Sequence, residues 1–447
     1  MKISFLYIAL ILFSLSACKK YLDKKSDNAM VVPTSLADLQ GLLDDADNIN
    51  NNRTSNYGEV SADDYFVTDI VYNSQIEYER DAYRWKPFDY VMYNDWSQAY
   101  LPIYTANLCL EGLEKITKTS QNQGLWNNIK GSALFLRSYY FLNLAWTFSK
   151  AFDQSSAQAD LGVVLRMTSD FNTVSVRASS KETYERIIND SKEAITYLPD
   201  NPSHVYRPSK AAAYGVLSRA YLSMRQYDSA GKYANLCLLL KNDLLDYSSE
   251  INTSSYNPFP RFNKETIFYS EISQSFLFIN YNWSAFVDTI LYGLYTNSDL
   301  RKAAFFSESG GYYSFKGMYT SSYTFFSGIA TDEMYLIRSE CHARAGNKEA
   351  ALEDLNHLLE KRFMAPFVPV TAGTSQEALN RILVERRKEL LMRGLRWMDI
   401  KRLNKEGANI IPKRLIAGQE YTLPPNDKRY ALPLPKDIID MTGIPQN

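Results

Sequence analysis

A mostly helical body, made of interrupted helical hairpins joined by long irregular loops, is the fold class this chain predicts. Three observations carry it. Apolar residues recur at spacings of three and four; small residues repeat at matched positions in two distant stretches; and the text between them turns to Asn, Ser, Gly, Pro and aromatics. The first helix is announced by Thr34 and Ser35 as caps before Leu36, Leu39, Leu42 and Leu43. A loop rich in Asp and Asn covers 44–56. Longer helices follow on Trp96, Tyr100, Ile103, Tyr104, Asn107, Leu108 and Leu113, then on Ile129, Ala133, Leu136, Tyr140, Leu144 and Phe148.

Two later stretches make the hairpins specific. Aligning Arg225 with Gly346 brings Tyr214 onto Tyr335, Ser218 onto Ser339 and Ala230 onto Ala351, with small residues where two helices must touch. This spacing resembles the tetratricopeptide repeat. Hairpins are therefore expected near 209–240 and 331–362, with a third near 126–198 split by a loop. Such units do not bury their apolar faces singly, so they are expected to stack within a single domain over 34–447.

The N-terminal residues read as a targeting segment instead of fold. Lys2 begins an apolar stretch that ends in Leu15, Ser16, Ala17 and Cys18. It falls short of the about 20 apolar residues that a membrane helix needs. The ending resembles a lipobox, which implies removal of 1–17 and lipidation of Cys18, with 18–33 as a polar tether. An ordinary signal peptide with an accidental cysteine is the alternative.

Composition excludes several classes. The chain carries 49 Lys plus Arg against 50 Asp plus Glu; removing Lys2 with the signal leaves 48 against 50. A near-neutral balance argues against a nucleic-acid partner. Cys109, Cys237 and Cys341 are widely spaced and, with only His204, His342 and His357, leave no Cys-x-x-Cys pair and too few ligands for a zinc site. Motifs for a cofactor, a phosphate loop, a nucleophile elbow or a metalloprotease helix are absent from the sequence. The 33 tyrosines exceed what a core alone should want.

Residues 382–403 read ILVERRKELLMRGLRWMDIKRL. This stretch resembles the C-terminal signature of the SusD/RagB family of Bacteroidetes outer-membrane lipoproteins. Residues 335–346 resemble that family's last repeat and 263–268 (NKETIF) its mid-chain strand motif; 137–141 (RSYYF), the helix of Trp96, Tyr100, Tyr104 and Asn107, and the ending 432–435 (LPLP) also fit. The chain departs at Arg393, where the family commonly has a glutamate, so one buried ion pair is expected to be rearranged. It is also short for the family, which implies trimmed binding loops. Within the signature, Glu385, Glu389, Arg396, Asp399 and Arg402 fall at spacings where charges on one helix pair, with Trp397 packed beneath. Glu385 and Glu389 as a catalytic acid and base is the other reading, and the arginines around them argue against it.

The resemblance implies a non-enzymatic surface protein that binds a nutrient, a glycan or an oligopeptide, and passes it to a SusC-like TonB-dependent transporter. A structural or assembly lipoprotein on a tetratricopeptide-like scaffold is the alternative; a glycan-cleaving enzyme is a third. No residue-level ligand motif carries over, so candidates are chosen by chemistry from the irregular segments 57–93 and 244–328. Trp85 and Trp283 offer the largest flat faces, Tyr83, Tyr281, Tyr292 and Tyr313 extend the platform, and Arg84, Asp64 and Asn282 are the polar partners. Core packing is the alternative for each aromatic.

Overall fold

The computed structural model describes residues 33–91, 93–275 and 284–447. The expected signal segment, Cys18 and most of the tether lie outside the described residues, as do Tyr281, Asn282 and Trp283.

Helix α1 (Leu36–Leu43) starts at a capping box in which Ser35 and Asp38 satisfy each other's backbone N–H groups. Its buried Leu39 and Leu43 face α2 (Asp95–Glu114) and α3 (Gln123–Phe148). From Ile129 onward α3 is buried almost all round, which makes it the axis of the core. It packs on α4 (Ser180–Tyr197), where Arg137 holds Asp190 through two hydrogen bonds of 2.7 and 2.9 Å and Ser191 meets Ser138 at 3.0 Å. Then α5 (Lys210–Ser223), α6 (Tyr227–Leu240), α7 (Thr331–Arg344) and α8 (Lys348–Glu360) follow, each against the one before.

The two aligned hairpins share atomic detail. Ser218 Oγ donates to the Ala230 carbonyl at 3.0 Å, and Ser339 Oγ donates to that of Ala351 at 2.7 Å. Arg225 and Gly346, the residues aligned between them, both adopt left-handed backbone, with φ of 61° and 82°. That conformation ends the first helix of each pair, and glycine takes it without a Cβ penalty.

The signature stretch departs from the single-helix reading. Helix α9 (Ser375–Glu389) stops, Met392 and Gly394 take left-handed backbone, and α10 (Arg396–Asn404) restarts in a new direction. The charges therefore pair mostly with distant segments. Arg301 takes Glu385 at 2.6 Å and Glu389 at 2.9 Å, Arg362 also takes Glu389 at 2.7 Å, Arg396 takes Asp63 at 2.6 Å, and Arg402 takes Glu340 at 2.6 Å. Of the five charges singled out, only Asp399 and Arg402 pair with each other along one helix, at 2.7 Å. Trp397 is buried beneath them against Tyr430. Arg393 is accommodated by Asp332 at 3.1 Å, with its guanidinium over the rings of Tyr319 and Phe326.

Short antiparallel strand pairs join the loops: β1 (Tyr65–Phe66) with β5 (Phe286–Val287), β2 (Leu161–Val164) with β3 (Arg177–Ser179), β4 (Thr266–Phe268) with β8 (Ile329–Ala330), β6 (Phe306–Ser309) with β7 (Tyr312–Phe315), and β9 (Lys413–Ile416) with β10 (Gln419–Thr422). The β1 to β5 pair stitches the two aromatic-rich segments together, Tyr65 opposite Val287 and Phe66 opposite Phe286.

Candidate ligand-binding face

Segment 57–93 is not an irregular loop. It folds into short helices, Tyr57–Ser61, Asp69–Ser74 and Glu77–Tyr83, and turns most of its aromatics inward, while Tyr93 stays exposed. Tyr65, Tyr83 and Trp85 turn toward Arg414 on β9, whose inward positions alternate with outward ones. Its guanidinium sits over the rings of Tyr65, Tyr83 and Trp85 at 5.0, 4.4 and 4.9 Å. It also donates to the carbonyls of Val60, Ala62, Tyr65 and Tyr83. A buried guanidinium is thus held by aromatic faces and backbone oxygens, with no carboxylate ion pair among the described residues.

Four of the expected site residues are engaged within the protein instead. Tyr83 is fully buried and Trp85 is 4% exposed, so neither offers an open face, and the Trp85 indole N–H already donates to the Ser61 carbonyl at 2.9 Å. Asp64 is buried too, paired with Arg387 at 2.8 Å and with Arg396 at 3.7 Å; burial pushes its carboxyl above the usual carboxylate range while both arginines pull against that. Its neighbour Asp63 lies below that range: burial raises it, but the Arg396 guanidinium beside it wins. Arg84 is engaged by Asp81 at 2.6 Å and lies over the Tyr421 ring. The signal for this cage is faint in the sequence, because Arg414 comes more than 300 residues after the rings it occupies.

The second segment behaves differently. Asp288 caps the turn Thr289–Gly293 by accepting from the Leu291 N–H at 2.8 Å, which presents Tyr292 at the surface. The β6–β7 hairpin brings Tyr313 alongside it. The two rings stack with centroids 3.7 Å apart and planes 12° apart, half-buried, with Phe306 edge-on beneath at 5.3 Å. Burial and the adjoining Tyr313 phenol together push up the Tyr292 hydroxyl. Polar groups rim the pair: Lys302 lies 5.3 Å from the Tyr292 ring and donates to Asn297 Oδ1 at 3.0 Å, and exposed Glu308 is opposite Tyr313 in the hairpin. On the other face of the hairpin, Tyr312 meets Phe66 and Phe286, rings from both segments, at 5.1 and 5.2 Å. Tyr312 keeps 41% of its surface exposed. An aromatic platform with amide, ammonium and carboxylate edges is suited to a flat ligand bearing hydroxyls or amides.

The carboxylate pair weighed as acid and base sits elsewhere. Glu385 and Glu389 both accept from Arg301, Glu389 from Arg362 besides and Glu385 from Lys388, so their oxygens are occupied by cationic donors. Cys109, Cys237 and Cys341 are buried and unpaired. Among the described residues, no helix is long and apolar enough to cross a membrane.

Comparison with known proteins agrees with this architecture. A family described as starch-binding and associating with the outer membrane matches residues 20–222, and the SusD family matches residues 272–441. SusD-like protein P2 of Formosa agariphila is 24% identical, with 76% of each chain covered. Among solved structures, a candidate sugar-binding protein of Bacteroides vulgatus superposes with a TM-score of 0.77 at 22% identity, covering 93% of this chain and 99% of that one. A SusD superfamily protein of Bacteroides thetaiotaomicron gives 0.76 at 21%, covering 92% and 99%. At these identities the structural likeness is one of fold. With the family matches falling on both halves and the fold shared end to end, the chain belongs to the SusD/RagB family.

Proposed function

We propose that this chain is a surface lipoprotein, anchored through Cys18, that binds a carbohydrate and delivers it to a SusC-like TonB-dependent transporter in the outer membrane. The observation that carries the reading is the half-buried Tyr292 and Tyr313 stack with its polar rim, on a hairpin whose other face meets rings of both aromatic-rich segments. Stacked phenols bind the apolar faces of sugar rings, and the surrounding amide and charged groups bind the hydroxyls. The family's description as starch-binding and outer-membrane associated supports the same reading, as does the description of one structural relative as a SusD-like carbohydrate-binding protein of Bacteroides vulgatus. Tyr281, Asn282 and Trp283, just before β5 in sequence, remain in the proposed site on sequence grounds. An oligopeptide is the second ligand class that such a face accommodates.

The test is a glycan and peptide array on the purified protein, followed by affinity capture from outer-membrane extracts. Sugar binding together with recovery of a large outer-membrane barrel is the expected result. Recovery of assembly factors without any bound sugar or peptide would replace the reading by a scaffold role, and release of reducing ends by an enzymatic one. Cys18→Ser protein should leave the membrane fraction after a high-salt wash; continued fractionation with membranes would refute lipidation at that position.

A further inference from the structure

A cavity of about 300 Å³ opens where the segment after α3, the end of α10 and the loop before Tyr430 meet. Lysines dominate its lining: Lys150, Lys401, Lys405 and Lys428, against Asp160 and Asp427. Most of these charges are matched locally. Lys150 pairs with Asp160 at 2.8 Å, Lys405 with Asp153 at 3.1 Å, and Asp427 with Arg429 at 2.8 Å. Lys401 and Lys428 remain without a carboxylate partner among the described residues.

Lys401 is the unusual one, because it is an ammonium only 5% exposed. Two of its three protons go to the carbonyls of Trp146 and Ser149 at 2.6 and 2.5 Å, at the C-terminal end of α3. Those oxygens and the negative end of the helix dipole hold the charge in part. Its third proton has no protein acceptor among the described residues, and the group lines an open cavity. In its charged form the group keeps one N–H directed to the cavity, where an anion would stabilise the ammonium. Burial alone pushes the Lys401 amine down to about 7, as expected where the counter-charge is missing.

We propose that this cavity seats a compact oxyanion, a sulfate or phosphate group, between Lys401 and Lys428, with Lys150 and Lys405 at its rim. The group is either a free ion or a substituent on a sugar. The inference is independent of the Tyr292 face, since the residues involved belong to other segments.

The experiment titrates the full chain calorimetrically with sodium sulfate and sodium phosphate against sodium chloride at constant ionic strength. Saturable one-site binding of sulfate or phosphate is expected, weakened about tenfold or more in Lys401→Met through loss of a charge-assisted hydrogen bond. Lys428→Glu, a charge reversal at an exposed position, should abolish it without any demand on folding. No saturable heat with either ion, or full affinity in Lys428→Glu, would overturn the proposal. A sulfated monosaccharide distinguishes the two sources: tighter binding than inorganic sulfate assigns the seat to a substituent, and equal or weaker binding assigns it to the free ion.

Discussion

Segments 57–93 and 284–328 read alike in sequence, tyrosines and a few large aromatics among turn formers, and the fold uses them in opposite ways. In the first, Tyr65, Tyr83 and Trp85 close around a single cation, Arg414, and disappear into the core. In the second, a capped turn and a hairpin leave Tyr292 and Tyr313 stacked at the surface with Lys302 and Glu308 on their rim. Aromatic density therefore does not by itself mark a contact surface. A buried guanidinium needs π faces as much as a sugar does, and the arrival of that cation from far along the chain decides which rings remain free.

The largest expected effect separates the two segments directly. Trp85→Ala should cost about 3–5 kcal/mol of stability, as truncation of a buried aromatic does, while leaving ligand affinity unchanged in the folded fraction. Trp397→Ala, beneath the signature helix, should behave in the same way. Lost affinity with unchanged melting in either variant would place that tryptophan on the ligand face.

A second test uses Glu59, buried within the first segment and accepting the Gly394 N–H at 2.8 Å. Burial, with Asp64 nearby, pushes its carboxyl from near 4.5 up to about 8. The folded state thus holds a proton that the unfolded chain releases at lower pH. The stability this contributes is fully present below about pH 4.5 and is lost as pH rises through about 8, a change of a few kcal/mol. Glu59→Gln, which stays neutral and keeps an oxygen for Gly394, should flatten that decline in thermal or denaturant melts. Equal slopes in both proteins between these pH values would show that Glu59 is ionised in the fold.

The helical hairpins set the scale for a purely local effect. Gly346→Ala places a Cβ on left-handed backbone and should cost about 1–2 kcal/mol, measured by urea denaturation. A neutral outcome would mean that the turn relaxes. At the surface the effect on stability should be smallest: Tyr292→Ala or Tyr313→Ala removes a stacked pair worth about 0.5–1.5 kcal/mol. The same substitutions should weaken binding of the sugar found on the array. Full affinity in the folded Tyr292→Ala, Tyr313→Ala double variant would place the contact surface elsewhere.

The helices were readable from the chain because their causes are local. Ser35 and Asp38 cap α1 within one turn, and apolar residues three and four apart choose the buried face of each helix. Small residues at matched offsets give Ser218 and Ser339 the same bond across twelve residues, and the alignment of Arg225 with Gly346 reflects one shared backbone conformation. For the surface turn of Tyr292 only the loop composition was legible, and the Asp288 cap that builds it emerged from the structure. The candidate site was only half legible, since sequence chemistry singled out Tyr83, Trp85, Tyr292 and Tyr313 together and had no means of separating the first two from the last.

What only the tertiary structure decided depends on partners that lie 84 to 331 residues apart. Arg414 claims Tyr83 and Trp85, Arg387 claims Asp64, and Arg301 gathers Glu385 and Glu389, while the turn at Gly394 redirects a stretch that reads as one helix. Ion pairs and cation contacts of this kind leave no period in the sequence, because a charge has no preferred spacing to a partner that only chain closure brings within 3 Å. Helical periodicity is fixed by geometry every few residues; the burial of a given tyrosine is fixed by whichever distant group arrives to cover it.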